Sequence, residues 1–188
     1  MYKKNTKAFT LIELLVVIAI IGLLSAILFA AFDDARKQAR DKTRLSELKE
    51  LQLAIQLYKA QNDRYPEQGC GTPGTSFAGP SGGTDSGDKV ACGPSVKYIL
   101  GLTPDFTATL PTDPKSENEP NKGFYYMTNA AGTAYKLMVY DTVESLAVSS
   151  YGDEFARCPR QGGACPTATP ADANSRTYAV YSIGAEDW

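Results

Sequence analysis

The first third of the chain contains a long apolar stretch. Ala8–Phe32 is a run of 25 residues in which Glu13 is the only charged side chain. At about 1.5 Å per residue, a helix of this length extends roughly 37 Å, which is enough to cross a hydrocarbon layer about 30 Å thick. The apolar region of a secretory signal peptide is shorter, about 7–15 residues. The pattern therefore predicts a transmembrane helix over residues 9–32, preceded by a short basic segment at residues 1–8.

The helix is predicted to continue beyond Phe32 as an amphipathic segment, residues 33–64. Apolar residues recur there at intervals of three and four, the spacing of one helix face; they are Leu45, Leu48, Leu51, Ile55 and Tyr58. Because no Gly or Pro occurs between Leu23 and Tyr65, we expect one helix from Phe9 to about Asn62, roughly 80 Å long. A rod of that length cannot bury itself against one small domain. Its first half must therefore face lipid or other copies of the chain.

A basic stripe lies on the amphipathic segment. Arg36, Arg40 and Arg44 follow one another at four-residue intervals and so share a helix face. Three interpretations are open: contact with lipid head groups, contact with acidic residues of neighbouring subunits, or a solvated face. Pro66 is expected to end the helix, since the residue before a proline is biased away from helical conformation.

Residues 65–188 are predicted to form a small β-sheet domain with Gly/Pro-rich loops. Gly69–Asp88 is dominated by Gly, Pro, Ser and Thr and is predicted to be a loop. The aromatic-rich segments Gly123–Thr128 and Thr133–Tyr140 are typical of an antiparallel hairpin, and Tyr178–Ile183 is predicted as a third strand. We expect a small antiparallel sheet that packs on the apolar stripe of the helix. The fold class is then α+β.

Charge and composition exclude several classes of function. The chain has 188 residues, 19 Lys+Arg against 21 Asp+Glu, and no His. The net charge is -2, and residues 65–188 carry 14 acids and 8 bases, so we expect no nucleic-acid binding. Without His, catalysis by Ser-His-Asp or Cys-His and imidazole metal sites are excluded. Gly69–Gly74 spells a dinucleotide-binding pattern and Gly79–Gly83 a nucleophile elbow, but neither lies between a strand and a helix. We therefore predict that the protein is not an enzyme.

The cysteines predict disulfide bonds. Cys70, Cys92, Cys158 and Cys165 include no Cys-x-x-Cys pair, and without His a zinc site would need all four thiolates. Four cysteines behind an export-like N-terminus favour disulfides, for which three connectivities exist. We favour Cys70–Cys92 together with Cys158–Cys165, because each bond closes a Gly/Pro-rich loop locally.

Glu13 needs a partner if it lies within a membrane. A carboxylate at that depth costs on the order of 2.5–3.5 kcal/mol, so it normally has a counter-charge and a function. No Lys or Arg lies between Lys7 and Arg36. Cleavage after Ala8 would create a free amine on Phe9, which Glu13 of the same chain or of a neighbouring copy could neutralise.

These residues carry a family resemblance. Lys7–Val17 (Lys-Ala-Phe-Thr-Leu-Ile-Glu-Leu-Leu-Val-Val) resembles the processing and assembly segment of type IV prepilins and type II secretion pseudopilins, with Ala8 where Gly is usual and Ala30 where Pro is common. The resemblance implies that a prepilin peptidase removes the leader, residues 1–8, by cutting between Ala8 and Phe9, and N-methylates Phe9. It also implies that Glu13 neutralises the Phe9 amine of the adjacent subunit during assembly.

Three further segments resemble the same family, and closest is the major pseudopilin of type II secretion. Tyr58–Pro66 resembles the helix end, Leu110–Pro114 the segment that leads into the sheet, and Tyr181–Asp187 a stretch near the C-terminus. In the major pseudopilin that last stretch leads into a calcium loop. The usual ligands of that loop are missing here; Glu186 and Asp187 could offer oxygens to calcium, and a solvated acidic surface is the favoured alternative. No other metal or cofactor is expected.

The resemblance implies a pilin-like fold and a structural function. The chain is expected to polymerise through its N-terminal helix into a helical homo-oligomeric filament, as a type II secretion pseudopilin or a type IV pilin serving secretion, adhesion or motility. Implied partners are the prepilin peptidase, an inner-membrane assembly platform, other minor pilins, and membrane lipid before assembly. The alternative is a minor or tip pilin that acts as a binding module for surface adhesion or DNA uptake.

The same resemblance implies a location. We expect a single pass through the cytoplasmic membrane, followed by a periplasmic or extracellular filament. Basic residues after the apolar segment outnumber those before it, which taken alone would keep the C-terminal part inside. The cysteines and the resemblance both favour export of that part, and we follow them.

Overall fold

A computed structural model describes residues 10–80, 88–93, 95–117, 119, 122–145, 154–157, 176–186 and 188, with backbone alone for 26–31. Helix α1 runs from Leu11 to Asn62 without interruption, as the sequence predicts; Phe9 lies outside the described residues. The helix ends three residues before Tyr65, because Asp63 adopts a left-handed conformation (φ 59°) and its N–H donates to the Lys59 carbonyl at 2.9 Å. Asp63, and not Pro66, is therefore the residue that ends α1.

Five strands form one sheet in the order β2-β1-β3-β4-β5. The strands are β1 Phe77–Gly79, β2 Lys89–Ala91, β3 Gly123–Thr128, β4 Tyr135–Tyr140 and β5 Tyr178–Tyr181, and a short 3₁₀ helix covers Pro114–Glu117. The predicted hairpin is confirmed: β3 and β4 are antiparallel in a register that pairs Gly123 with Tyr140. Asn129 shapes the turn, since its Oδ1 accepts from the Thr133 N–H at 2.8 Å.

The sheet differs from the prediction at one side. Gly69–Asp88 is not all loop, because it contains β1, and β1 pairs with β2 in parallel. The sheet is therefore mixed, and the predicted all-antiparallel sheet is wrong at this pair. Strands of three residues are too short to show a period of two, and the pairing of β1 with β3 through Ala78 and Tyr126 is a tertiary contact. The third predicted strand is confirmed as β5, which ends at Tyr181 before Ile183.

The core lies between α1 and one face of the sheet. Leu48, Leu51 and Ile55 of the predicted stripe are fully buried, while Leu45 and Tyr58 are partly buried at its edges. Facing them are alternate residues of the strands; these are Tyr126, Tyr135, Leu137, Val139 and Val180. A smaller cluster on the opposite face includes Phe77, Tyr125 and Met138. The sheet thus fixes which side of α1 is covered and which side is left open.

Candidate functional site

The first described turn of α1 is closed by a reciprocal cap between Thr10 and Glu13. The Thr10 side chain accepts from the Glu13 N–H at 3.3 Å, and Glu13 Oε2 accepts from the Thr10 N–H at 2.9 Å and from the Thr10 hydroxyl at 2.6 Å. The carboxylate also lies at the positive end of the helix dipole. Both partners are exposed, so the single chain leaves the Glu13 charge without a cation among the described residues. Ala8 and Phe9, the predicted processing residues, lie outside them.

The part of α1 that follows is apolar and open on all sides. Eleven large hydrophobic residues there have exposures from 46% for Val17 to 81% for Leu11; they are Leu11, Ile12, Leu14, Leu15, Val16, Val17, Ile18, Ile20, Ile21, Leu23 and Leu24. A helix that is apolar all round is normally buried, in lipid or among other helices. The β-sheet domain packs on the second half of α1, so the described residues of the chain leave this surface uncovered.

Within the residues that the structure describes, no helix combines the length and the apolar character that crossing a bilayer requires.

An ion network joins α1 to the domain just beyond the open part. Arg44 is only 3% exposed and donates to both carboxylate oxygens of Asp113, at 2.6 and 3.2 Å. The third guanidinium nitrogen, Nη1, donates to Asp41 at 2.8 Å and to Glu144 at 2.9 Å. Arg40 holds both oxygens of Glu144, at 2.8 and 2.7 Å. The geometry is of the bidentate kind that fixes orientation as well as charge.

The network shows what two of the three arginines in the basic stripe contact. The acidic partners of Arg40 and Arg44 belong to the same chain, whereas Arg36 has no ion pair among the described residues. Both carboxylates come from distant loops, and no local pattern links them to α1. The bonds from Arg40 and Arg44 hold the pKa of Glu144 at about 2, with burial acting in the opposite direction. Desolvation lowers the pKa of Arg44, but its hydrogen bonds to Asp113, Glu144 and Asp41 outweigh this and raise the pKa above the ordinary value.

Asp113 has a further structural function. Its Oδ1 accepts from the Lys115 N–H at 2.9 Å, which caps the 3₁₀ helix at Pro114–Glu117. Asp113 belongs to Leu110–Pro114, and the resemblance of this segment to the family was the sequence feature that pointed to it. Asp41 and Glu144 were missed by the sequence analysis. Asp41 accepts from the N–H groups of Glu144 and Ser145, so it also holds the loop that carries Glu144.

One predicted disulfide is confirmed. Cys70 and Cys92 are bonded, with a Cα–Cα distance of 5.2 Å, and they tie the chain before β1 to the chain after β2. Gln68 supports the same region, because its amide donates to the carbonyls of Cys70 and Ser76 at 2.8 and 3.0 Å. Cys158 and Cys165 lie outside the described residues, so their pairing stays a prediction.

The candidate calcium ligands do not form a site in the part of the chain that is described. There, no group of three or more His, Cys, Asp or Glu is arranged to hold a metal ion. The Glu186 carboxylate accepts from the Gly184 N–H at 2.7 Å, and Asp187 lies outside the described residues. The Glu186 and Trp188 carbonyls instead accept from Lys136, a fully buried lysine of β4, at 2.9 and 2.7 Å.

The N-terminal segment of the chain matches a known family motif. Residues 3–29 match the prokaryotic N-terminal methylation motif. The chain is 35% identical over 71 residues to the type II secretion system core protein G of Aeromonas hydrophila, covering 37% of this chain and 50% of that protein. It is 42% identical over 62 residues to the type IV wide pilus major component PilA4 of Thermus thermophilus, covering 33% and 47%.

A longer match is to the type IV major fimbrial protein FimA of Dichelobacter nodosus, 33% identical over 107 residues, covering 54% of this chain and 61% of that protein. The chain thus spans about half the length of the curated relatives it matches. No solved structure matches it significantly. The methylation motif and these similarities support the resemblance of the chain to type IV pilins and type II secretion pseudopilins.

Proposed function

We propose that the chain is a structural, non-catalytic subunit of a type IV filament-like assembly. The observation that carries this proposal is the open apolar half of α1. Burying one Val, Leu or Ile side chain contributes about 1.5–3 kcal/mol, and eleven such residues are left exposed by the described residues of the domain. A chain with this surface needs lipid or other helices around it at all times. A membrane-anchored precursor that passes into a helical filament meets that need in both states.

Lipid covers apolar side chains as effectively as neighbouring helices do. The hydrophobic effect alone therefore does not drive the transfer of a subunit from the membrane into a filament. Packing and charge pairing must supply the difference. In the single chain, the Glu13 carboxylate accepts hydrogen bonds from Thr10 but has no counter-charge among the described residues. We propose that the Phe9 amine of a neighbouring subunit supplies it after cleavage. Pairing would then lower the cost of holding the carboxylate in an apolar environment.

The proposal includes the processing steps and the location. A prepilin peptidase would cut between Ala8 and Phe9 and methylate the new amine, and an inner-membrane platform with other minor pilins would assist assembly. The precursor would sit in the cytoplasmic membrane and the filament in the periplasm or outside the cell. The methylation motif at residues 3–29 and the similarity to a secretion pseudopilin and to pilus subunits support these steps.

Processing is tested by mass spectrometry of filaments purified from the native host. We expect the mature chain to begin at N-methylated Phe9. Filaments built from chains that still begin at Met1 would contradict the proposal.

The function of Glu13 is tested by variants that separate its charge from its cap. Glu13→Gln removes the charge and keeps an oxygen that can accept from Thr10, whereas Thr10→Val removes the cap and keeps the charge. We expect Glu13→Gln to insert into membranes normally and to reduce filament yield at least about tenfold, equivalent to about 1.4 kcal/mol. Thr10→Val should have a smaller effect, because losing a cap costs about 1 kcal/mol of helix stability.

Filament yield is measured by electron microscopy and by immunoblotting of sheared material, with the membrane fraction as the insertion control. Normal yield for Glu13→Gln together with a strong loss for Thr10→Val would contradict charge pairing. That result would instead assign Glu13 to helix capping alone.

A further inference from the structure

The second half of α1 has an apolar surface that the domain does not cover. Leu53 is 62% exposed and Leu57 is 48% exposed, although the neighbouring Leu51 and Ile55 are buried. Each helical residue advances about 100° around the axis, so Leu53 points about 160° away from both buried neighbours. Leu53 and Leu57 are four residues apart and share this outer face. The two exposed leucines therefore form a small apolar surface on the face opposite the core.

A seven-residue repeat extends this outer face along the helix. Stepping by seven from Leu53 meets only uncharged residues; they are Leu11, Ile18, Ser25, Phe32, Ala39, Ser46, Leu53 and Ala60. Between residues 32 and 62, each of the other six registers contains at least one charged residue. All members of this register are exposed except Ser25, which is half-buried. We call Phe32, Ala39, Ser46, Leu53 and Ala60 the seam.

The composition of the seam suits contact between helices. A repeat of 3.5 residues stays on one face of helices that wind gently around each other. Small residues such as Ala39 and Ser46 let a neighbouring backbone approach closely, and the larger Leu53 fills the space between.

Charges of opposite sign border the seam. Lys42 and Lys49 lie on one edge and Glu50 on the other, as their positions relative to Ser46 require. Within the described residues, Lys42 forms no ion pair, and Glu50 accepts only a hydrogen bond from Ser46 at 3.3 Å. Lys49 instead stacks on the Phe155 ring, 4.8 Å from its centre.

Other cations of this part of α1 have acidic partners. Lys37 pairs with Asp33 on the helix, and Arg40 and Arg44 pair with acids of the domain. Among the described residues, Lys42 and Glu50 have no ion-pair partner and lie beside an uncharged outer face. Such complementary edges favour a neighbour that presents the same face with its opposite edge.

We propose that the seam is the contact surface for a second copy of this chain, with Lys42 of one copy facing Glu50 of the next. The inference rests on the proposed function and names the contacts of the partner subunit outside the membrane. Subunits inserted in one direction must pack in parallel, and a head-to-tail contact of this kind produces an open helical assembly. If the α1 helices of two copies are offset along their axes by seven to eight residues, about 11–12 Å, their seams align. Lys42 of one copy then lies level with Glu50 of the next.

The pairing is tested by disulfide trapping in filaments of the full chain. In Lys42→Cys with Glu50→Cys, the two new cysteines of one chain lie about 12 Å apart along the helix, beyond the roughly 7 Å Cα separation that a disulfide tolerates. Oxidation should therefore link copies into a ladder that collapses under reductant. The matched control is Asp34→Cys with Lys42→Cys, which has the same spacing on a different face and should give no ladder.

Charge reversal gives an independent readout. Lys42→Glu and Glu50→Lys should each reduce filament yield, because like charges then meet across the contact, and the double variant should recover most of the yield. Ala39→Glu should reduce yield at least about tenfold, while Gln38→Glu, the same charge one position away and off the seam, should not. Formation of the Cys70–Cys92 bond in each variant shows that the domain has folded.

The outcomes separate this inference from the proposed function. If the unmodified chain forms no filaments in its host, the proposed function fails. If it forms filaments and the Lys42–Glu50 cysteine pair gives no ladder, with Ala39→Glu assembling normally, the seam is not the contact surface and the proposed function stands.

Discussion

At the residue scale, the junction between α1 and the domain is decided by one buried guanidinium. Arg44 lies between Asp41, Asp113 and Glu144, so the helix and two distant loops share a single cation. A buried ion pair adds little net stability compared with apolar packing, but leaving one member unpaired costs about 3–5 kcal/mol. The network therefore fixes geometry more than it adds stability. It sets where the domain sits on the helix, just above the open apolar half.

The low pKa of Glu144 predicts a pH-dependent stability. Hydrogen bonds from Arg40 and Arg44 lower the pKa of Glu144 from 4.5 to about 2 in the folded chain. Because the folded pKa is depressed, the stabilisation is complete above about pH 4.5 and is lost as the pH falls towards 2, up to about 3 kcal/mol. Unfolding by denaturant of the detergent-solubilised chain, from pH 6 to pH 2, measures it.

Glu144→Gln provides the comparison. It should be less stable than the unmodified chain at pH 6 and should lose less stability on acidification. Parallel stability curves for the two proteins across this range would contradict the assignment of the acid-sensitive contribution to Glu144.

At the element scale, the end of α1 matters as much as its length. Asp63 takes a left-handed conformation with φ 59°, which is costly for a residue with a side chain, and the chain then turns so that the Tyr65 N–H donates to the Gly132 carbonyl at 2.8 Å. The turn brings Pro66 against β3, where its carbonyl accepts from the buried Tyr126 hydroxyl at 2.7 Å. One cap residue thus directs the chain from the helix back to the sheet.

This geometry predicts opposite effects for two substitutions at Asp63. Asp63→Gly should raise the free energy of unfolding by up to about 1 kcal/mol, because glycine adopts positive φ without steric cost. Asp63→Val should lower it, since a β-branched residue is strongly disfavoured there. Thermal unfolding monitored by circular dichroism measures both. Equal stability of the Gly and Val variants would show that φ at this position does not limit the helix end.

At the scale of the whole molecule, the Gly/Pro-rich segment is incorporated into the sheet by covalent and tertiary contacts. β1 and β2 have three residues each, and such strands are marginal alone. The Cys70–Cys92 bond closes a loop that contains both strands. In addition, β1 pairs with β3. The disulfide therefore holds a segment of weak intrinsic preference at one side of the domain.

Removing the disulfide is expected to destabilise the domain. A sequence separation of 22 residues corresponds to about 3.4 kcal/mol in the chain-entropy treatment of cross-links. The paired substitution of Cys70 and Cys92 by Ser should lower the free energy of unfolding by about that amount. Denaturant unfolding with and without reductant measures this difference in the free energy of unfolding. Reductant should break the Cys70–Cys92 bond and lower the stability of the unmodified chain, whereas the variant has no such bond to lose. Unchanged stability in the paired variant would contradict the prediction.

Features that repeat along the chain can be predicted from local sequence. The helix from Leu11 to Asn62, its buried stripe, the hairpin of β3 and β4, and the resemblance at Lys7–Val17 all follow from local periodicity or contiguous motifs. These are set by interactions between residues close in sequence, so a pattern reveals them.

Contacts between residues of distant segments depend on how the whole chain packs. Arg44 finds Asp113 and Glu144 across separations of 69 and 100 residues, and β1 forms because β3 offers it hydrogen bonds. The basic stripe on α1 has the same spacing whether its charges face solvent, lipid or acids. Burial and pairing depend on the chain packed against it, which local spacing does not encode.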